Sequence, residues 1–132
     1  MKNKIHYVSK IEMASIIKTL QKGNSIYIAE MNGRTVQCEL SFFSSMNELF
    51  RFPIPVHGFD GYFDMIRDLD WLTKDGYVLV INNFSEFMNS NLTLKRQIIK
   101  DFEDIVLPWW EEEVIKCVVE GVAKSFNLYL VD

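Results

Sequence analysis

The sequence is poor in the residues that build covalent and metal frameworks. Of 132 residues, two are cysteine and two are histidine. Cys38 and Cys117 form no CxxC pair and stand far apart, so no disulfide framework is expected. That sparing use points to a reducing, cytoplasmic home. Each thiol is expected to be a small buried hydrophobe or a bystander. With only His6 and His57 beside them, soft ligands cannot assemble a zinc-type cluster, and nothing calls for a cofactor. No run of about 18 apolar residues is present to span a bilayer. The basic start, Met1 to His6, is not followed by the apolar stretch of a signal peptide. Positive charge is in deficit, with 14 Lys and Arg against 18 Asp and Glu for a net charge of −4. General affinity for nucleic acid or an anionic membrane is therefore not expected. A basic protein is the complementary partner.

What is present is core material. Hydrophobic residues make up 48% of the chain, with ten Phe, five Tyr and three Trp. A chain of this length buries roughly two-thirds of its unfolded surface, so a single domain over residues 1–132 is expected. Its first part, residues 1–23, reads as a helical extension. Ser9 and Glu12 make a capping box at the head of a helix to Gln21, with Gly23 as its stop. Ser25 to Met31 reads as a strand ending at the Asn32-Gly33 turn, with Arg34 to Leu40 extending or pairing with it. Phe42 to Phe50 reads as a helix that Pro53 and Pro55 close. Tyr77 to Ile81 is a continuous apolar run, as a strand buried on both faces requires. A helix over Thr93 to Val106, broken or kinked by Pro108, and a last strand over Phe126 to Val131 complete the pattern. The expected fold is α/β: a small parallel sheet of about three strands packed by helices, with an extra N-terminal helix.

The most informative segment is Phe59 to Leu72, read as one helix. Phe59, Tyr62, Phe63, Met65, Ile66 and Leu69 fill one arc at 100° per residue. Asp60, Asp64 and Asp68 fill the opposite arc at i, i+4 and i+8. Like charges at that spacing destabilise a helix by a few tenths of a kcal/mol per pair. Gly61, a poor helix former, removes a side chain beside the stripe, where another backbone would then approach closely. Taken alone, the stripe is accounted for by a solvated polar face; the functional reading is a docking surface for a cationic cleft. It spreads over about 12 Å of helix and cannot wrap a metal ion.

The surrounding residues give the stripe a context. Phe52-Pro53, His57-Gly58, Asp60, Asp64 and the run Arg67-Asp68-Leu69-Asp70-Trp71-Leu72, ahead of Tyr77 to Ile81, resemble the barstar family. The Ser25 to Gly33 strand and turn, the Phe42 to Phe50 helix and the closing strand stand in the same order as in that family. The resemblance runs from about Ser25 to the end of the chain. The Pro55 to Tyr62 run departs from the family: its usual Asn is missing, its loop is one residue shorter, and Gly61 stands where a helix-favouring Ala is usual.

The resemblance implies a cytoplasmic immunity-type inhibitor that plugs the active site of a ribonuclease toxin and does no chemistry itself. It places the two helix carboxylates at Asp60 and Asp64, and the plugging loop at Val56-His57-Gly58-Phe59. Asp68 and Trp71 fall at the edge, and Glu120 stands where family members use a later acidic residue. Two other readings compete. An enzyme pairing carboxylates as acid and base would need them in a concave pocket, and a regulatory module would share only the fold. His57 lacks the orienting partner of a catalytic base. Trp71 reads first as core packing. One ring of Trp109 and Trp110 is expected in the core, and Glu111 to Glu113 on a solvated helix face.

Overall fold

The computed structural model describes residues 2–132. The elements run β1 (Ile5–Val8), α1 (Lys10–Gln21), β2 (Ile26–Asn32), α2 (Glu39–Leu49), α3 (Phe59–Ile66), β3 (Gly76–Asn82), α4 (Leu92–Asp101), α5 (Val114–Cys117) and β4 (Ser125–Val131). The four strands form one sheet in the order β1-β4-β3-β2, and every pairing is parallel.

Side-chain alternation then assigns the layers. Tyr77, Leu79 and Ile81 of β3 and Phe126, Leu128 and Leu130 of β4 enter the larger core, under α2, α3 and the helices after β3. Val78, Val80 and Val131 face the other way, onto Met13, Ile16, Ile17 and Leu20 of α1. β3 is therefore buried on both faces, which is why it reads as an unbroken apolar run. The capping box at Ser9 and Glu12 is formed as expected.

The structure departs from the sequence reading in several places. A fourth strand, β1, precedes α1; three half-buried residues, one of them a histidine, and the exposed Tyr7 give almost no periodic signal. Helix α1 ends without using Gly23, and Asn24 takes the left-handed conformation instead, at φ 51°. Arg34 to Leu40 neither extends nor pairs with β2. Asn32 Oδ1 accepts from the Arg34 N–H and opens a short 3-10 turn, and a Cβ on Gly33 would lie 2.7 Å from the Asn82 carbonyl. Close approach of strand ends, rather than a hairpin, is what that glycine permits. Both cysteines are exposed, not buried, with Cys38 standing at the N-cap of α2.

Pro108 does not break its helix. From α4 the helical path continues through wide π-type turns over Phe102–Val106 and Trp109–Glu113 into α5. Widened turns of this kind accommodate a residue that has no N–H to give. They also rotate Trp109 and Trp110 toward α3.

Asp101, at the end of α4, is buried and accepts from Gln97 Nε2 at 2.7 Å. Desolvation raises its carboxyl pKa, against the lowering effect of the Gln97 bond. The folded state therefore holds this proton more tightly than the unfolded chain. Stability falls as pH rises from the ordinary carboxylate range through the raised one, and is level above it. Asp101→Asn is expected to reduce that fall and to be relatively more stable at neutral pH, read from urea midpoints across the acid range. Asp68, shifted the same way, keeps part of the slope.

Candidate functional site

The site begins with a loop that the chain holds rigid. Asn47 of α2 accepts from the Val56 N–H at 2.8 Å and donates to the Val56 carbonyl at 3.0 Å. Val56 is buried, and a Cβ on Gly61 would meet its Cγ1 at 3.4 Å. Gly61 thus faces the chain's own loop, at a distance where a Cβ would make ordinary contact, and no close backbone approach depends on it. Helix α3 starts from Gly58, in extended backbone, with no side-chain cap. Phe59 anchors the first turn against Phe43, ring centroids 5.1 Å apart. His57 stays exposed.

Asp60 and Asp64 are exposed on the outer side of α3, one turn or about 6 Å of rise apart. Asp60 sits in the first turn, where the helix dipole favours a carboxylate. Asp64 comes within 3.9 Å of Arg67 Nη2, at 73% exposure, so this pair adds little stability. Arg67 is held more firmly from elsewhere. Its Nε donates to the Phe63 carbonyl at 3.1 Å, and its guanidinium lies 5.3 Å from the Trp109 ring centroid.

Helix α3 ends at Ile66, six residues earlier than the Phe59 to Leu72 reading. Trp110 Nε1 donates to the Ile66 carbonyl and Trp109 Nε1 to the Arg67 carbonyl, each at 2.9 Å. These indoles satisfy carbonyls that the next turn would otherwise use. Leu69 then turns left-handed at φ 57°. The i, i+4, i+8 stripe therefore stops at Asp64. Asp68 lies beyond the helix, where its Oδ1 accepts from the Asp70 N–H. Partial burial pushes the Asp68 carboxyl up, against the lowering effect of the Asp70 N–H, and the Asp70 carboxylate adds a further rise.

Asp68 joins a second acidic set. Arg67, Asp68, Asp70, Val119, Glu120 and Lys124 are among the residues lining an open groove of about 560 Å³. The fold thus brings Asp68 and Glu120 together, and Arg67 links Asp64 to them. Glu120 is exposed in a tight loop at φ 61°, and a Cβ on Gly121 would lie 2.4 Å from the Val114 carbonyl. Trp71 is placed apart from this groove. Its Nε1 donates to the Phe50 carbonyl at 2.8 Å and its ring meets Phe52 edge-on, beside a different hollow lined by Ile26, Arg51 and Lys74. Among the described residues, no three His, Cys, Asp or Glu converge as a metal site. Exposed carboxylates on a convex helix suit ion pairing with a partner better than proton transfer, which needs a pocket.

Beneath the site, Tyr62 is buried and its hydroxyl has no hydrogen-bond partner. Burial drives its pKa far above the ordinary phenol range, and the Asp101 carboxylate adds to the rise. An orphaned buried hydroxyl costs about 1–3 kcal/mol. Tyr62→Phe is expected to raise stability by about 1 kcal/mol, seen as a higher urea midpoint at an unchanged slope.

Three comparisons place these features among known proteins. The family model described as Barstar (barnase inhibitor) matches residues 26–120. No curated protein matches the chain in sequence. Among solved structures it resembles the Aeropyrum pernix ORC2 protein, solved as ADPNP-ADP complexes, with a TM-score of 0.51 at 14% identity. That match covers 98% of this chain and 34% of the other, so the chain spans about a third of that protein's length. At such identity the likeness is one of fold.

Proposed function

Since the chain belongs to the barstar family, we propose that it is a cytoplasmic immunity-type inhibitor of a basic ribonuclease toxin. One observation carries this reading. Asp60 and Asp64 stand exposed and adjacent on a short helix, inside the matched segment, with the loop before it and the carbonyls after it both tied down. A ribonuclease active site gathers cations that stabilise phosphate charge. Two preordered carboxylates would take the places of substrate phosphates and make charge-assisted hydrogen bonds to Arg, Lys or His. His57, Gly58 and Phe59 would shape the plug, while Asp68 and Glu120 would meet cations at its margin. Asp side chains are short, so little entropy is lost on fixing them. The chain itself performs no reaction in this scheme, and contacts neither nucleic acid nor membrane directly.

The test is capture from the source cell's lysate and secretions, using the native chain and an Asp60→Ala/Asp64→Ala variant as parallel baits. The expected result is a basic ribonuclease that elutes with salt from the native bait alone and loses activity when the chain is added back. Identical partners on both baits, or a captured ribonuclease left fully active by the chain, would overturn the reading.

A further inference from the structure

The family match ends short of β1, α1 and β4, yet β1 forms one edge of the sheet. The Leu128 N–H donates to the Lys4 carbonyl and the Asp132 N–H to the Val8 carbonyl. Residues 4, 6 and 8 therefore face β4. By alternation, Ile5 and Tyr7 turn their N–H and C=O groups outward, where no strand lies. Ile5 and Tyr7 also share the sheet face that α4 covers. Tyr7 is nonetheless 72% exposed, because nothing flanks β1 on that side.

Two hollows meet at this edge, of about 500 and 400 Å³, with Tyr7 and Glu103 common to both. The second has an apolar floor of Phe84, Leu92 and Ile99. Cations outnumber carboxylates around them: Lys2 and Lys4 against Glu103 and Glu111 at the first, Lys95, Arg96 and Lys100 against Glu103 at the second. Lys100 is taken by Asp104, whereas Lys2, Lys4 and Arg96 have no ion-pair partner among the described residues. In a chain of net charge −4, this edge is a basic island.

We infer that the outer edge of β1 and the groove beside α4 dock an extended partner segment of alternating apolar and acidic residues, added as a fifth strand. Backbone groups of Ile5 and Tyr7 would supply the ladder, and the apolar floor would take alternate side chains. Lys2 and Lys4 stand at this edge, Lys4 on the face opposite Ile5 and Tyr7, and would pair with the acidic ones. Lysines at a sheet edge also repel uninvited strands. They disfavour a second copy here, since pairing β1 with itself would set basic edge against basic edge. An acidic strand meets the opposite sign. This surface is independent of Asp60 and Asp64.

The probe is a labelled synthetic peptide of alternating valine and glutamate, with a valine–lysine analogue as control, titrated into the full chain. Amide NMR shifts are expected at residues 2–8 and 92–103, with no binding of the lysine analogue. Lys2→Glu/Lys4→Glu, both at exposed positions, is expected to weaken binding about tenfold or more. Tyr7→Pro removes an outward N–H without touching the β1–β4 bonds, and is expected to weaken it likewise. Asp60→Ala/Asp64→Ala should leave it unchanged. The proposal is overturned by no binding, by equal binding of both peptides, or by shifts elsewhere. It is equally overturned if a short oligonucleotide binds the same residues and is indifferent to Tyr7→Pro, which would make the edge a plain anion site. A dimer abolished by Tyr7→Pro would assign the edge to a second copy.

Discussion

Asp60→Ala/Asp64→Ala is expected to remove ribonuclease binding while leaving the fold in place. The folding side is a sum of small effects. Losing Asp60 gives up its dipole interaction, about 0.3–1 kcal/mol. Losing Asp64 gives up an exposed pair with Arg67, about 0.2–0.5 kcal/mol. Removing the repulsion between the two carboxylates returns a similar few tenths. The gain offsets part of the two losses and leaves a net loss of about 1 kcal/mol or less, so the melting temperature should move by a few degrees at most.

Binding has no such cancellation. Each truncation would leave a desolvated cation of the enzyme without its partner, a loss of about 2–5 kcal/mol. Adjacent carboxylates couple, so the double loss need not equal the sum. Even about 3 kcal/mol is more than a hundredfold in Kd. Titration calorimetry at two salt concentrations measures both parts: weaker binding, and a flatter salt dependence. Glu30→Ala, exposed on β2 and turned to the α1 side of the sheet, is the control and should bind as the native chain does. If the double variant unfolds, the two residues are structural; if it folds and still binds, another face makes the contact.

What the sequence discloses follows from how local each cause is. β3 is readable because burial on both faces writes itself as Tyr77-Val78-Leu79-Val80-Ile81. The capping box at Ser9 and Glu12 is readable because both partners lie within one turn. β1 is hidden because a short edge strand owes its order to β4, over a hundred residues away. The end of α3 is hidden for the same reason. Arg67-Asp68-Leu69 continues the helical period perfectly well, and only indoles 42 and 44 residues further on intercept its carbonyls. Asn47, which clamps the loop before α3, carries no signal at all: an amide in a helix shows its use only when Val56 lies beside it. Asp60 and Asp64 are legible because a carboxylate pair on one face needs nothing but the helix.

Trp110 is where fold and site meet, and Trp110→Ala is expected to be the most destabilising single change near the site. The ring is 3% exposed and lies 5.2 Å from that of Tyr77. Removing a buried aromatic costs about 3–5 kcal/mol. The Ile66 carbonyl also loses its donor, about 1 kcal/mol more if water cannot replace it. Against a typical total stability of about 5–15 kcal/mol, such a loss leaves the domain marginal. Trp110→Phe separates the two contributions, since it keeps most of the ring and loses the N–H; about 1–2 kcal/mol is expected. Binding discriminates further. Trp109 still caps Arg67 in either variant, and Asp60 and Asp64 sit upstream of the loosened end. Affinity measured well below the melting temperature should therefore fall far less than in Asp60→Ala/Asp64→Ala. A Trp110→Ala chain as stable as the native one would mean that the wide turns after α4 hold α3 without the indole.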